Sequence, residues 1–195
     1  MYGAYPHTGS HDLVIERNTV HDNGKHGIIL ADDCIDSVIR DNVIYHNQHH
    51  GIVLYLRSSR SLVEGNENFA RTGQGIKINE SDANTIRGNR VYDNTESGIG
   101  ITQTAQNNLV ENNQSRGNQQ DGIRVVGEAA QTFIRANTFG ASGRYGVYVD
   151  VDADVDIAGN TIFGNLAGIM LRSSAAVPDS ATSFSTTGKP DFPDG

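Results

Sequence analysis

The sequence predicts an all-β fold, a single-stranded right-handed parallel β-helix (solenoid) of about seven coils of 22–24 residues. Three observations predict it. An Asn recurs at Asn18, Asn42, Asn66, Asn89, Asn113, Asn137 and Asn160. About nine residues after each comes Gly and then an aliphatic residue, at Gly27, Gly51, Gly75, Gly98, Gly122, Gly146 and Gly168. Apolar residues alternate at period two around these marks, and no window carries a helical stripe. A fixed period of this length is the signature of stacked repeats.

The elements of a coil follow in order. Three residues before each Asn stand Ile15, Ile39, Val63, Ile86, Val110, Ile134 and Ile157, the buried position of a first short strand. The Asn column marks a turn whose side-chain amides bond the backbone and one another up the stack. The Gly column fits a position that needs positive φ or close backbone approach. After it, Ile28, Ile52, Ile76, Ile99, Ile123, Val147 and Ile169 open another strand, with Leu30, Leu54, Ile78, Ile101, Val125, Val149 and Leu171 two further on. One such unit cannot bury its apolar face alone, so copies must stack, with strands about 4.8 Å apart. Leucine-rich repeats have a similar period but need several leucines per copy, and here Ile and Val dominate.

Residues 1–174 form the expected β-helix domain, beginning mid-coil because Gly3 lies 24 residues before Gly27. Residues 175–195 form a Pro/Ser/Thr-rich tail holding three of the four prolines, with Phe184 and Phe192 able to pin it to the last coil. No signal peptide precedes the repeat, so the expectation is a fragment of a longer parent, or an open end that packs on another chain and supports self-association. The net charge of −8 argues against nucleic acid. No apolar stretch is long enough to span a membrane. Cys34 is the single cysteine, which excludes an intrachain disulfide framework and reads as a structural thiol.

Counting from Gly picks out the residues that point outward. Two after Gly come Tyr5, Ile29, Val53, Lys77, Gly100, Arg124, Tyr148 and Met170; four after come His7, Ala31, Tyr55 and Asn79 in the early coils. Just before Gly stand Tyr2, His26, His50, Gln74, Ser97, Asp121 and Tyr145, with Lys25 and His49 one earlier. Tyr2, Tyr5, His7, Lys25, His26, His49, His50, Tyr55 and Lys77 therefore share one face of the first four coils. Such a strip suits an extended anionic sugar polymer, with rings against sugar faces and with cations and imidazoles meeting carboxylates. A metal site built from His7, His26, His49 and His50 has feasible spacing for one or two ligands but no acidic partner spacing. No metal is expected.

The opening segment Tyr2-Gly3-Ala4-Tyr5-Pro6-His7, followed by His11-Asp12-Leu13-Val14-Ile15 and His21-Asp22-Asn23-Gly24-Lys25-His26-Gly27-Ile28, resembles the alginate (mannuronan) C5-epimerases. The specific match covers roughly the first 60 residues. The family carries a Tyr-Gly-x-Asp-Pro-His signature in which Tyr, Asp and His are catalytic. The resemblance implies a catalytic tyrosine at Tyr2 and a catalytic histidine at His7. It also implies a secreted or periplasmic parent and no cofactor, with calcium left open. The signature Asp is Tyr5 here; a further family Asp falls at Ala31, beside Asp32 and Asp33, and a family Arg falls at His49.

Epimerisation at C5 removes a proton α to a carboxylate, so it needs a base, an acid on the opposite face, and a group that neutralises the carboxylate. Tyr2 and His7 are the expected acid and base; Lys25, His49 or Lys77 is the expected neutralising group. The alternatives are a non-catalytic polysaccharide-binding β-helix and a lyase that shares the first proton abstraction. A pectin-type glycoside hydrolase needs paired carboxylates across one face, and the strip offers none.

Overall fold

A computed structural model describes residues 1–70, 73–172 and the strand Ser183–Ser185. Among the described residues every regular element is a strand, and the strands form three parallel sheets wound into a solenoid. The first sheet runs from Val14–Glu16 through Val38–Arg40, Leu62–Glu64, Thr85–Arg87, Leu109–Glu111 and Thr132–Arg135 to Val155–Ala158. The second begins at Thr19–His21 and the third at Ile28–Ala31. The first and third sheets have seven strands each, so the number of coils is close to that expected. No described helix is long and apolar enough to cross a membrane.

The register is the one the repeat predicts. Ile28 pairs with Ile52, Ile52 with Ile76, Ile76 with Ile99 and Ile99 with Ile123. These residues are wholly buried in one core, with Ile39, Ile86 and Ile134 arriving from the first sheet and Ile44, Val91 and Phe139 from the second. A fully buried aliphatic side chain contributes about 1.5–3 kcal/mol, and the stack repeats that gain at every rung. Among the described residues, two inward positions of the second sheet are polar, Asn68 and Ser115. Each donates to the carbonyl just before a strand of the third sheet, Asn68 Nδ2 to Gly75 O at 2.6 Å and Ser115 Oγ to Gly122 O at 2.8 Å.

The Asn column is a buried ladder. The side-chain oxygen of Asn89 accepts from the backbone N–H of Asn66 at 2.9 Å and from its amide at 3.0 Å, while Asn89 Nδ2 donates to Val63 O, Arg87 O and Asn113 Oδ1. A second ladder at the next corner, Asn23, Asn47, Asn94 and Asn118, was not anticipated. Arg71 and Ser142 interrupt its column in the sequence.

The Gly column is explained by close approach and not by positive φ. A Cβ at Gly27 would lie 2.8 Å from the carbonyl oxygen of Gly51 on the next rung. Left-handed residues instead recur just before the first Asn ladder, as at Arg17, Asp41, Gly65 and Gly88, and before the second, as at Asp22, His46, Asp93 and Gly117. The expected tail also holds a strand, Ser183–Ser185, which pairs with Thr161–Phe163 as the eighth strand of the second sheet. Phe184 pairs through its backbone with Ile162; Phe192 lies outside the described residues.

Candidate functional site

The site occupies the outer surface of the third sheet at its N-terminal end. Residues 2–8 run alongside Ile28–Ala31, held by bridges Ala4 to Ile28 and His7 to Ala31. Ala4 packs against the core, so Tyr5 beside it turns outward, 45% exposed. Beneath the rings lies an apolar floor. Ile29, Ala31 and Val53 face out of the solenoid yet are almost fully covered, with Tyr2 packed on them.

All nine predicted site residues belong to one contiguous surface. Tyr2, Tyr5, His26, His50, Tyr55 and Lys77 line a shallow cleft of about 200 Å³. Ile29, Val53 and Asn79 complete it; the sequence placed these three in outward columns without singling them out as site residues. Lys25 and His49 flank the cleft. The Lys25 ammonium sits 5.3 Å above the Tyr2 ring, and the His49 ring meets His26 edge-on at 5.5 Å. His7 is reached through Tyr5, whose ring lies 4.9 Å from His7 and 4.4 Å from Tyr2. The residue that replaces the signature Asp therefore touches both the predicted acid and the predicted base. His7 Nδ1 shares a 2.7 Å hydrogen bond with Thr8 Oγ1.

The imidazoles of His26 and His50 form a stacked column, 5.1 Å apart and 4° from parallel. Each caps the next rung. His26 Nδ1 accepts the His50 N–H at 3.2 Å, and His50 Nδ1 accepts the Gln74 N–H at 2.9 Å. A ring nitrogen that accepts cannot carry the proton, so both rings hold it on Nε2 and present a neutral donor there. Burial and the neighbouring charges hold them neutral. The pKa of His26 is drawn down to about 4 by burial, then by His49, Lys77 and Lys25. That of His50 falls to about 3 by burial, then by Lys77, His26 and His49. Both rings are thereby kept neutral at ordinary pH. They serve as neutral hydrogen-bond donors and as structural caps, and the lysines carry the positive charge.

The acidic residues near the strip are engaged elsewhere. Asp32 and Asp33 have left-handed backbone at the turn and both pair with Arg57, at 3.0 and 2.7 Å. Cys34 is buried and its thiol donates to Ala31 O at 3.2 Å.

A right-handed parallel β-solenoid with a polar aromatic strip along one sheet is the class of protein that fold and site define. The chain belongs to the NosD family, described as periplasmic copper-binding protein, whose model matches residues 4–114 and 101–184. No curated protein matches it in sequence. Solved structures share the fold. The periplasmic alginate epimerase AlgG is 23% identical, with TM-score 0.80, over 90% of this chain and 47% of its own. The A-module of the Azotobacter vinelandii mannuronan C-5 epimerase AlgE6 is 21% identical, with TM-score 0.75, over 95% of this chain and 62% of its own. The DFA-IIIase of Arthrobacter chlorophenolicus A6 is 16% identical, with TM-score 0.63, over 94% of this chain and 50% of its own. The chain thus spans about half the length of the AlgG structure.

Proposed function

We propose that the strip binds an anionic polysaccharide and that the chain acts as a mannuronan C5-epimerase-like protein, converting mannuronate to guluronate in alginate. The observation that carries this reading is the single run of rings His7, Tyr5, Tyr2, His26 and His50 beside Lys25 and Lys77. Flat rings offer stacking surfaces for pyranose faces, and the two ammonium groups offer charge for carboxylates. The fold shared with two alginate epimerases and the resemblance of the opening segment support it. In this reading Lys77, in the cleft, or Lys25, above Tyr2, neutralises the C5 carboxylate as negative charge grows on the carbon acid. His7 abstracts or returns the C5 proton, and Tyr2 serves the opposite face. His26 and His50 bind sugar oxygens through Nε2–H. A periplasmic or extracellular location is part of the same proposal, supported by the family description and by periplasmic AlgG.

One observation favours a second reading, a binding module without turnover. Tyr5 puts a ring where the resembled signature has a carboxylate, and that ring bridges Tyr2 and His7. Self-association is a further part of the proposal, through the first strands of the solenoid, where Ile15, Val20 and Asn18 line an open hollow.

Copper, named in the family description, would draw on His, Cys and Met donors. The described residues do not fit it. Among the described residues no group of three or more His, Cys, Asp or Glu converges. His26 and His50 spend Nδ1 on the backbone, and Cys34 is sealed in the core.

Incubation with polymannuronate, followed by proton NMR of the anomeric and H5 signals, tests the reading. Guluronate signals that disappear in His7→Ala, with the fold retained, are the expected result. New ultraviolet absorbance from unsaturated uronate would instead mean a lyase. Retardation in an alginate gel without either product would mean a binding module. No retardation and no product would refute the polysaccharide reading altogether.

A further inference from the structure

A second cluster lies on the same outer sheet face, several rungs further along. On the strand Tyr145–Asp150, the Tyr145 and Tyr148 rings stack at 5.6 Å and 25°. Three arginines from three successive coils gather on them. The Arg124 guanidinium lies 4.3 Å above Tyr148, and Arg144 lies 5.3 Å above Tyr145 and 5.7 Å above Tyr148. Arg172 Nη1 donates to Tyr148 Oη at 3.3 Å. A wholly buried carboxylate fixes the group from below. Asp121 pairs with Arg124 at 3.2 Å and lies 3.8 Å from Arg144, while accepting the Tyr145 N–H at 3.3 Å. Asp150 accepts from Tyr148 Oη at 3.0 Å and lies 3.9 Å from Arg172.

Three guanidiniums against two carboxylates leave the cluster positive. Each guanidinium has five donors in a rigid fork, and the contacts just given occupy one or two of them. Arg144 and Arg172 keep 42% and 65% of their side chains exposed, so their forks are open to solvent. Guanidiniums held over aromatic rings with donors still open to solvent are suited to bidentate capture of a carboxylate.

One outward column joins this cluster to the N-terminal cleft. Lys77 and Arg124 occupy the same outward column with only Gly100 between them. A Cβ at Gly100 would collide with Gln74, whose side chain covers that spot. Gln74 is 7% exposed, and its Oε1 is buried without a hydrogen-bond partner among the described residues. From His50 to Tyr145 is four rungs, about 19 Å along the axis at the usual strand spacing.

We infer that Arg124, Arg144 and Arg172, seated on Tyr145 and Tyr148, form a second carboxylate subsite for the same acidic polysaccharide, which runs along the solenoid axis and is held at both ends. The inference rests on the polysaccharide reading above. Two subsites on one chain act by effective concentration, so ligands long enough to reach both bind far more tightly than ligands that reach one.

The test compares wild type with the double variant Arg144→Gln/Arg172→Gln on size-fractionated oligomannuronates by calorimetry, with thermal melting to confirm that the fold persists. For wild type, affinity should rise steeply once the oligomer exceeds about 19 Å. The variant should lose about tenfold or more on long oligomers and show a shallower salt dependence, while short oligomers bind as before. Unchanged affinity for long oligomers in the variant would overturn the second subsite while leaving the N-terminal site standing. Failure of wild type to bind any length would overturn both.

Discussion

His50→Asn tests whether the imidazole column is held neutral by the fold. The pKa of His50 is drawn down to about 3 because its ring is largely buried and lies near Lys77, His26 and His49. In the unfolded chain the same ring titrates near 6.5. Below that pH the unfolded chain takes up a proton that the folded protein refuses, so protonation favours unfolding. The stability from neutral His50 is complete above about pH 6.5 and is lost progressively as pH falls toward about 3. At roughly 1.4 kcal/mol per unit, the loss between about pH 7 and pH 5 comes to about 2 kcal/mol. His26, drawn to about 4, acts in the same direction, but its greater exposure makes its share smaller. Glu16, Asp33 and Asp36, whose carboxyls are held low by Arg40, Arg57 and Arg60 first of all, start from unfolded values of 4.5, 3.8 and 3.8 and so lose their contributions below this window. Urea unfolding at the two pH values should therefore show the wild type weakening by at least that amount. In the Asn variant, already less stable near neutral pH, the dependence should flatten by about 2 kcal/mol. An identical pH slope in the two proteins, or a His50 ring that titrates near 6.5 by NMR, would refute the reasoning.

Two further substitutions probe the frame and the chemistry. Asn89→Ala removes a wholly buried side chain that makes five hydrogen bonds, four of them to neighbouring rungs, and should cost about 3 kcal/mol or more in urea unfolding. Asn18→Ala, at the exposed first rung, should cost less than about 1 kcal/mol, and equal losses would contradict the ladder argument. Tyr5→Asp restores the carboxylate of the resembled signature at an exposed position, so the fold should be retained. Epimerase turnover measured by NMR should rise about a hundredfold, the scale of one well-placed acid or base, and no gain would assign Tyr5 to binding.

The sequence alone determined the frame. Residues two dozen apart had to become neighbours, because Ile28, Ile52 and Ile76 can leave water only by stacking, and Asn42, Asn66 and Asn89 can be buried only by bonding one another. From that register the outward columns followed, so the nine residues of the strip were legible before any coordinates. The second Asn ladder was not, because Arg71 and Ser142 break its spacing in the sequence, while in the structure Asn23 bonds Asn47 and Asn94 bonds Asn118 from rung to rung. The reason for the Gly column also needed the fold, since only the facing carbonyl of the next coil shows which of two demands the backbone makes at Gly27. Protonation was beyond the sequence for a deeper reason. A histidine's charge is set by its desolvation and by the field of its neighbours, and these depend on how deeply the His50 ring is buried and how far Lys77 lies from it. Period and pattern decide which side chains meet, while burial and distance, which exist only in the assembled solenoid, decide what those side chains are when they get there.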